Sequence, residues 1–249
     1  MLRYLESGSG TPVVLIHGNF ACKEWWREVL QDPPEGARLL APDLPGFGES
    51  PAPEDFVPSI PTYAQALRDF LREKGIDDAI LVGHSLGGAV AMEAAGPTTL
   101  GLVLLNSAPP SGLQTPEAYY PILESYRHNL EGLAQALAAM APTRRPPWFL
   151  ELVERAQRMH PAHFQGNARA LAAWRLEQPY RGPVLVVYGA LDPLVTRVMA
   201  EATAAFFSRG RLLVLEGVGH SANLENPGML KDVLETFLKE VQGEVQGGG

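Results

Sequence analysis

One cysteine, four lysines and no apolar run near the length of a membrane span: the scarcities in these 249 residues already narrow what the chain can be. The lone Cys22 excludes an intramolecular disulfide and a multi-cysteine metal site. A spanning helix needs about 20 consecutive apolar residues, so no membrane insertion is expected. Positive charge is scarce too. Lys+Arg is 20 against 28 Asp+Glu, the net charge is −8, and no basic run exceeds Arg144-Arg145. A nucleic-acid binder or a protein held on anionic lipid needs a concentrated positive field, so neither partner is expected. Met1–Glu6 leads into no uninterrupted apolar segment with a small-residue cleavage site, which predicts a leaderless, cytoplasmic protein. No Gly-rich phosphate loop, dinucleotide fingerprint or metal-spaced His/Asp cluster is visible, and neither a cofactor nor a metal is expected.

Apolar residues are plentiful at 46%, and charged residues make only 19%, which argues for a packed core rather than disorder. Glycine (25) and proline (22) are abundant but neither periodic nor clustered. The length fits one large α/β domain or two small ones.

Apolar runs rich in leucine and β-branched residues recur at 12–16, 38–41, 79–82, 101–106, 183–188 and 211–215. Most lack polar alternation, as strands covered on both faces do in a parallel sheet. Segments 63–74, 86–95, 197–207 and 227–241 carry apolar residues at three- and four-residue spacing and read as helices. This alternation predicts an α/β fold with a mostly parallel, doubly wound sheet, edged by one antiparallel strand over 2–6. Between Ala108 and Gly182 it breaks. Segments 116–141, 148–160 and 162–177 read as helices with proline-rich joints, too long for an ordinary connection. The expectation is a core of 1–109 and 182–249 with a helical cap over 110–181, inserted before the last two strands. The glycine-rich tail, 242–249, is expected to fray.

Gly83-His84-Ser85-Leu86-Gly87 follows a strand and opens a helix. A serine on so tight a turn needs small neighbours two residues either side, which Gly83 and Gly87 supply. The turn also aims the helix start, with its free N–H groups and positive dipole end, at the serine. A serine nucleophile needs a base, and the base needs an orienting acid. His220 and Asp192 each follow one of the last two strands and so share the sheet edge of Ser85, where open α/β sheets place their sites. His17 is assigned to shaping its loop, and His84 to a place beside the serine but turned from substrate. His128, His160 and His163 fall in the cap. Asp43 and Glu225 compete with Asp192 for the acid role, whereas Asn106 is no acid. His17-Gly18-Asn19-Phe20 follows the first long strand, and its backbone can point back at the nucleophile turn. The Leu86 and Asn19 N–H groups, with Phe20 as an additional donor, are the expected oxyanion hole.

With Asp43-Leu44-Pro45-Gly46-Phe47-Gly48-Glu49-Ser50 added to His17–Phe20, Gly83–Gly88, Gly189–Val195 and Gly217–Pro227, the chain resembles a serine hydrolase of the α/β-hydrolase fold with a helical cap. The resemblance implies Ser85, Asp192 and His220 as a triad in that chain order. Haloalkane dehalogenases and epoxide hydrolases carry aspartate where Ser85 stands, although Asn19 resembles the former. Carboxylesterases, lactonases, carbon–carbon bond hydrolases and menaquinone-pathway lyases keep serine. Leu86 resembles esterases and lactonases more than cofactor-free haloperoxidases, which often carry methionine there.

Three functions follow from these residues. The first is hydrolysis of a small ester or lactone through an acyl-enzyme. The second is carbon–carbon cleavage or elimination by the same triad, which needs a cationic substrate contact such as Arg144 or Arg145. The third is a ligand-binding protein that retained the fold. Trp25, Trp148, Trp174 and Tyr120 are the candidate pocket walls, and Cys22 is read as a small buried hydrophobe. A small-molecule substrate is the expected partner; monomer and homodimer both remain open.

Overall fold

Seven strands and ten helices make up the computed structural model, which describes residues 1–247. The strands are β1 (Tyr4–Gly8), β2 (Thr11–Ile16), β3 (Ala37–Pro42), β4 (Ala79–His84), β5 (Thr99–Leu105), β6 (Val184–Gly189) and β7 (Gly210–Leu215). They form one sheet in the order β1-β3-β2-β4-β5-β6-β7. Only β1 is antiparallel, pairing along β3 from Tyr4 opposite Pro42 to Gly8 opposite Arg38. The chain winds outward from β2 to β3, then returns to add β4 on the other side of β2. The crevice between β2 and β4 is therefore the switch point of the sheet, and the carboxyl ends of both strands open onto it.

The missing polar alternation has a direct cause. Successive side chains point to opposite faces, and both faces are buried. Val14, Ile16, Leu81, Leu102 and Leu104 pack with α2 (Ile60–Glu73), α3 (Leu86–Ala94) and α8 (Arg197–Phe206). Val13, Leu15, Val82, Val103 and Leu105 pack with α1 (Arg27–Gln31) and α10 (Pro227–Gly247). Helix α2 starts three residues before the expected 63: Ser59 caps it by accepting the Thr62 N–H, and Pro61 occupies its first turn.

Between Leu105 and Val184 the described residues contain no strand. They hold a short turn at Glu117–Tyr119 and then α4 (Tyr120–Ser125), α5 (Leu130–Met140), α6 (Phe149–Gln157) and α7 (His163–Ala173). The break between α4 and α5 comes at Asn129, whose side chain accepts the Gly132 N–H and so opens a new helix. A helical turn over Lys23–Trp26 and α1 follow the loop after β2. Two expectations need correction. Helix α7 stops at Ala173 rather than running to 177, because Leu176 leaves to donate its N–H to Pro110. The tail is helical to Gly247; Gln242 docks it on Thr11 at 2.9 Å, and Gly248 and Gly249 lie outside the described residues. No helix of the described residues is long and apolar enough to cross a membrane.

Candidate active site

Four loops meet at the carboxyl ends of the strands, and each is shaped by residues that permit close approach. Ser85 sits between β4 and α3 at φ 55°, ψ −117°, a left-handed conformation that costs a non-glycine residue energy. The turn closes because its neighbours lack side chains. A Cβ on Gly83 would strike the Gly87 carbonyl, one on Gly87 the carbonyls of Ile16 and His17, and one on Gly88 the Ser107 hydroxyl. Those are the steric demands the sequence implied. Leu86 is the first residue of α3, so its N–H has no partner within the helix. Gly18 lies against this turn: a Cβ there would come 3.1 Å from both the Ser85 Cβ and His84 Nδ1. The His17–Phe20 loop and the start of α3 thus converge beside Ser85.

His220 and Asp192 are joined, with His220 Nδ1 2.7 Å from Asp192 Oδ2. The Asp192 carboxylate is buried and has three further donors: Asn106 Nδ2 at 2.7 Å, and the N–H groups of Leu194 and Val195 at 2.8 and 3.0 Å. Burial by itself would raise this carboxyl, but the His220 hydrogen bond and charge and the two backbone donors outweigh it and hold Asp192 below its ordinary value. Asp192 therefore stays anionic, and its Oδ2 accepts from His220 Nδ1. His220 Nε2 makes no hydrogen bond to a described residue. Nor is it bonded to the Ser85 hydroxyl; such bonds are often long without substrate and tighten when it binds.

His220 is held from behind. His84 Nε2 donates to the His220 carbonyl at 2.8 Å, and burial holds the His84 ring down to about 3, so it serves as a neutral strut. Glu225 accepts from the Gly219 and Ser221 N–H groups on either side of His220, at 3.0 and 3.1 Å, and from the Thr143 hydroxyl at 2.6 Å. Glu225 is thus a loop clamp rather than the acid. Asp43 is also spent elsewhere, binding the Lys23 ammonium at 2.7 Å and the Glu49 N–H at 2.9 Å. His17 accepts the Leu44 N–H on Nε2, as a loop-shaping residue should.

The other expected residues divide. The Phe20 N–H is committed to Asn19 Oδ1 at 3.0 Å, which removes it as an oxyanion donor. Trp25 stacks on His84 with centroids 6.4 Å apart and belongs to the surroundings of His220. Trp148, Tyr120 and Trp174 occupy seams instead. Arg27 covers the Trp148 ring at 5.0 Å, Arg169 covers Tyr120 at 3.9 Å, and the Trp174 N–H binds Glu93 near the far end of α3. Arg144 is bound bidentately by Glu28 at 2.8 and 2.6 Å, and Arg145 caps the Ala141 carbonyl. Arg144 is thereby paired with an anion of the chain itself, whereas among the described residues the exposed Arg145 has only backbone carbonyls as hydrogen-bond partners. Cys22 is buried, and burial with Glu24 and Asp43 nearby pushes its thiol well above the ordinary range, so it is no nucleophile.

Sequence reasoning missed Asn106, Glu225 as a clamp, and Phe164. Asn106 follows β5 at φ +44°, and a polar residue at a strand end beside the acid's strand was its only signal. Phe164 and Tyr126 both meet the Phe20 ring edge-on, at 5.7 and 5.9 Å, and form an aromatic corner over the oxyanion loop. A cleft of about 300 Å³ lined by Gly48, Glu49, Glu151, Glu154, Arg155 and Arg158 is charged and includes none of Ser85, Asp192 or His220.

A 2-hydroxymuconate semialdehyde hydrolase from Pseudomonas sp. strain CF600 is 27% identical over 94% of this chain and 89% of its own. A putative aryl esterase from Burkholderia cenocepacia superposes with a TM-score of 0.82 at 26% identity, over 97% of this chain and 95% of that one. The enol-lactonase of Burkholderia xenovorans LB400 superposes with a TM-score of 0.83 at 21% identity, covering 96% of each, which speaks for the fold alone. The profile of the Alpha/beta hydrolase family matches residues 13–233, nearly the whole sheet and every loop described above. The chain is a hydrolase belonging to the alpha/beta hydrolase family.

Proposed function

We propose that this hydrolase cleaves small carboxylic esters or lactones through an acyl-enzyme on Ser85. The observation that carries the reading is the buried Asp192–His220 pair, 2.7 Å apart, at the sheet edge where Ser85 stands on its strained turn. His220 Nε2 takes the hydroxyl proton as Ser85 attacks the acyl carbon, and Asp192 stabilises the imidazolium that forms. The Leu86 and Asn19 N–H groups receive the carbonyl oxygen as it becomes an oxyanion. His220 returns its proton to the leaving alkoxide, then activates water to release the acid. In this reading residues 1–109 and 182–249 carry the chemistry and 110–181 form a cap that selects the substrate. The aromatic corner of Phe20, Tyr126 and Phe164 supplies an apolar wall suited to a small acyl or aryl group.

A short-chain aryl ester tests this. Ser85→Ala and His220→Ala are each expected to lower kcat by about 10³-fold or more, with the fold intact by circular dichroism. Wild-type turnover in either variant refutes the reading. The similarity to the semialdehyde hydrolase favours a second reading, carbon–carbon cleavage by the same triad. That chemistry acts on an anionic dienone acid and needs a cation at the site, and Arg144 is already paired with Glu28. Negligible ester turnover beside rapid cleavage of a ring-fission dienone would select it.

A further inference from the structure

A line of polar contacts runs through the interior from the core loop after β3, across the cap, to the candidate oxyanion loop. His163 Nε2 lies 2.9 Å from the Pro45 carbonyl, the Tyr63 hydroxyl 3.3 Å from His163 Nδ1 and 2.6 Å from Asn167 Oδ1. Asn167 Nδ2 lies 2.8 Å from Asn19 Oδ1, which also accepts the Phe20 N–H at 3.0 Å. Tyr63, His163 and Asn167 are fully buried, so no solvent substitutes for a lost link.

The direction of the line is set from the Phe20 end. The Phe20 N–H can only donate, which turns Asn19 Oδ1 toward it. Asn167 must then face Asn19 with its NH2, which leaves Asn167 Oδ1 to accept the Tyr63 proton at 2.6 Å. At the far end the Pro45 carbonyl can only accept, so His163 Nε2 donates. Burial holds His163 down to about 4, so the ring is neutral and Nδ1 is an acceptor competing for the same Tyr63 proton over the longer 3.3 Å contact. The shorter contact keeps the proton because the Asn167 amide is already oriented.

The cap helix is seated firmly enough to transmit this. Gly46 has no room for a side chain, since a Cβ would stand 2.5 Å from His163 Nε2 and 2.9 Å from the His160 Cβ. Phe164, next along α7, packs on Phe20. Phe20 itself is held at φ +53°, a strained value for a non-glycine residue that its surroundings must maintain.

We propose that Asn167, a cap residue remote in sequence from every catalytic motif, is a positioning residue that sets the oxyanion loop through the Asn19 side chain, so that acyl transfer requires α7 docked on the core. This rests on the acyl-enzyme reading above. Asn167→Leu keeps the volume and removes the donor. With a short aryl ester it is expected to lower kcat about tenfold, less than the 10²–10³ typical of deleting an oxyanion donor outright, with KM within about twofold. The midpoint of the pH profile stays put, because the Asp192–His220 pair is untouched. Tyr63→Phe, which removes only the proton that Asn167 Oδ1 accepts, shows a smaller loss of the same kind and guards against misfolding of the first variant. In an Asn19→Ala background, which keeps the backbone N–H, Asn167→Leu should cost almost nothing further. Full kcat in folded Asn167→Leu and Tyr63→Phe, or an undiminished loss in the Asn19→Ala background, overturns the proposal. Wild-type turnover by Ser85→Ala instead overturns the acyl-enzyme reading on which it rests.

Discussion

Asn106 does two things at one position: it adopts φ +44° at the end of β5 and donates to Asp192 Oδ2. Asparagine tolerates that backbone better than most residues, so the site gains a fourth donor to the acid at little conformational cost. Asn106→Asp keeps the backbone preference but sets a second carboxylate against Asp192. Like charges disfavour ionisation of the acid and favour the charged imidazole. The acid limb of kcat/KM is therefore expected to move to higher pH, and an unmoved limb would show that Asn106 plays no part in the charge balance. Lys23 is the second residue whose neighbours determine its behaviour. Burial opposes its charge, but hydrogen bonds to Asp43 and Glu49 outweigh this and raise the ammonium above its ordinary value. Lys23→Met leaves the buried Asp43 without its cation, while Glu24 keeps Arg155, and urea unfolding should report a loss of roughly 3–5 kcal/mol. A loss under about 1 kcal/mol would mean that water reaches the cluster.

The elements with a strong local signal were legible in the sequence, and the seams between elements were not. Strands β2 to β7 were visible because two covered faces remove polar alternation, and the turn at Ser85 because Gly83 and Gly87 are sterically required. The candidate order Ser85, Asp192, His220 was read from strand ends together with the resemblance to the α/β-hydrolase fold. The roles of Asn106 and Asn167 follow from contacts 86 and 148 residues apart in sequence, which no local pattern encodes, and Glu225 joins its own loop to Thr143, 82 residues away. The aromatics of the cap misled for a related reason: a Trp or Tyr packed on an arginine at a seam has the same composition as one lining a pocket. Helix α10 outlasts its expected end at 241, where Val241 is buried in the core and Gln242 bonds Thr11, and this anchoring outweighs the poor propensity of Gly243. Helix α2 offers the converse case, where a local device counts. Ser59→Ala removes the N-cap acceptor, and thermal or urea unfolding should show a loss of about 1 kcal/mol; no loss would mean that packing alone holds the first turn.

At the scale of the whole molecule, His17, His84 and His163 link stability to pH, because burial lowers all three rings. His84 is held at about 3 and His163 at about 4, both by burial, against 6.5 for the unfolded chain. The unfolded state thus binds more protons at acid pH. Their contribution is fully present above about pH 6.5 and is lost as pH falls from there toward 4. Each histidine adds a slope of up to about 1.4 kcal/mol per pH unit in that window. Urea midpoints measured from pH 7.5 to 4.5 should fall steadily, and a flat profile would contradict the burial of these rings. The same burial keeps the strut behind His220 and the relay to Asn19 neutral at working pH, so fold and proposed chemistry rest on shared groups. The central claim is that Ser85 carries the acyl group. Rapid mixing with a short-chain aryl ester, followed by acid quench and mass analysis of the peptide containing Ser85, tests it most directly. The account predicts a burst of about one alcohol per chain and a matching acyl mass on Ser85, both absent in Ser85→Ala. Steady ester turnover with no burst and no acylated serine, or full turnover in Ser85→Ala, would contradict it.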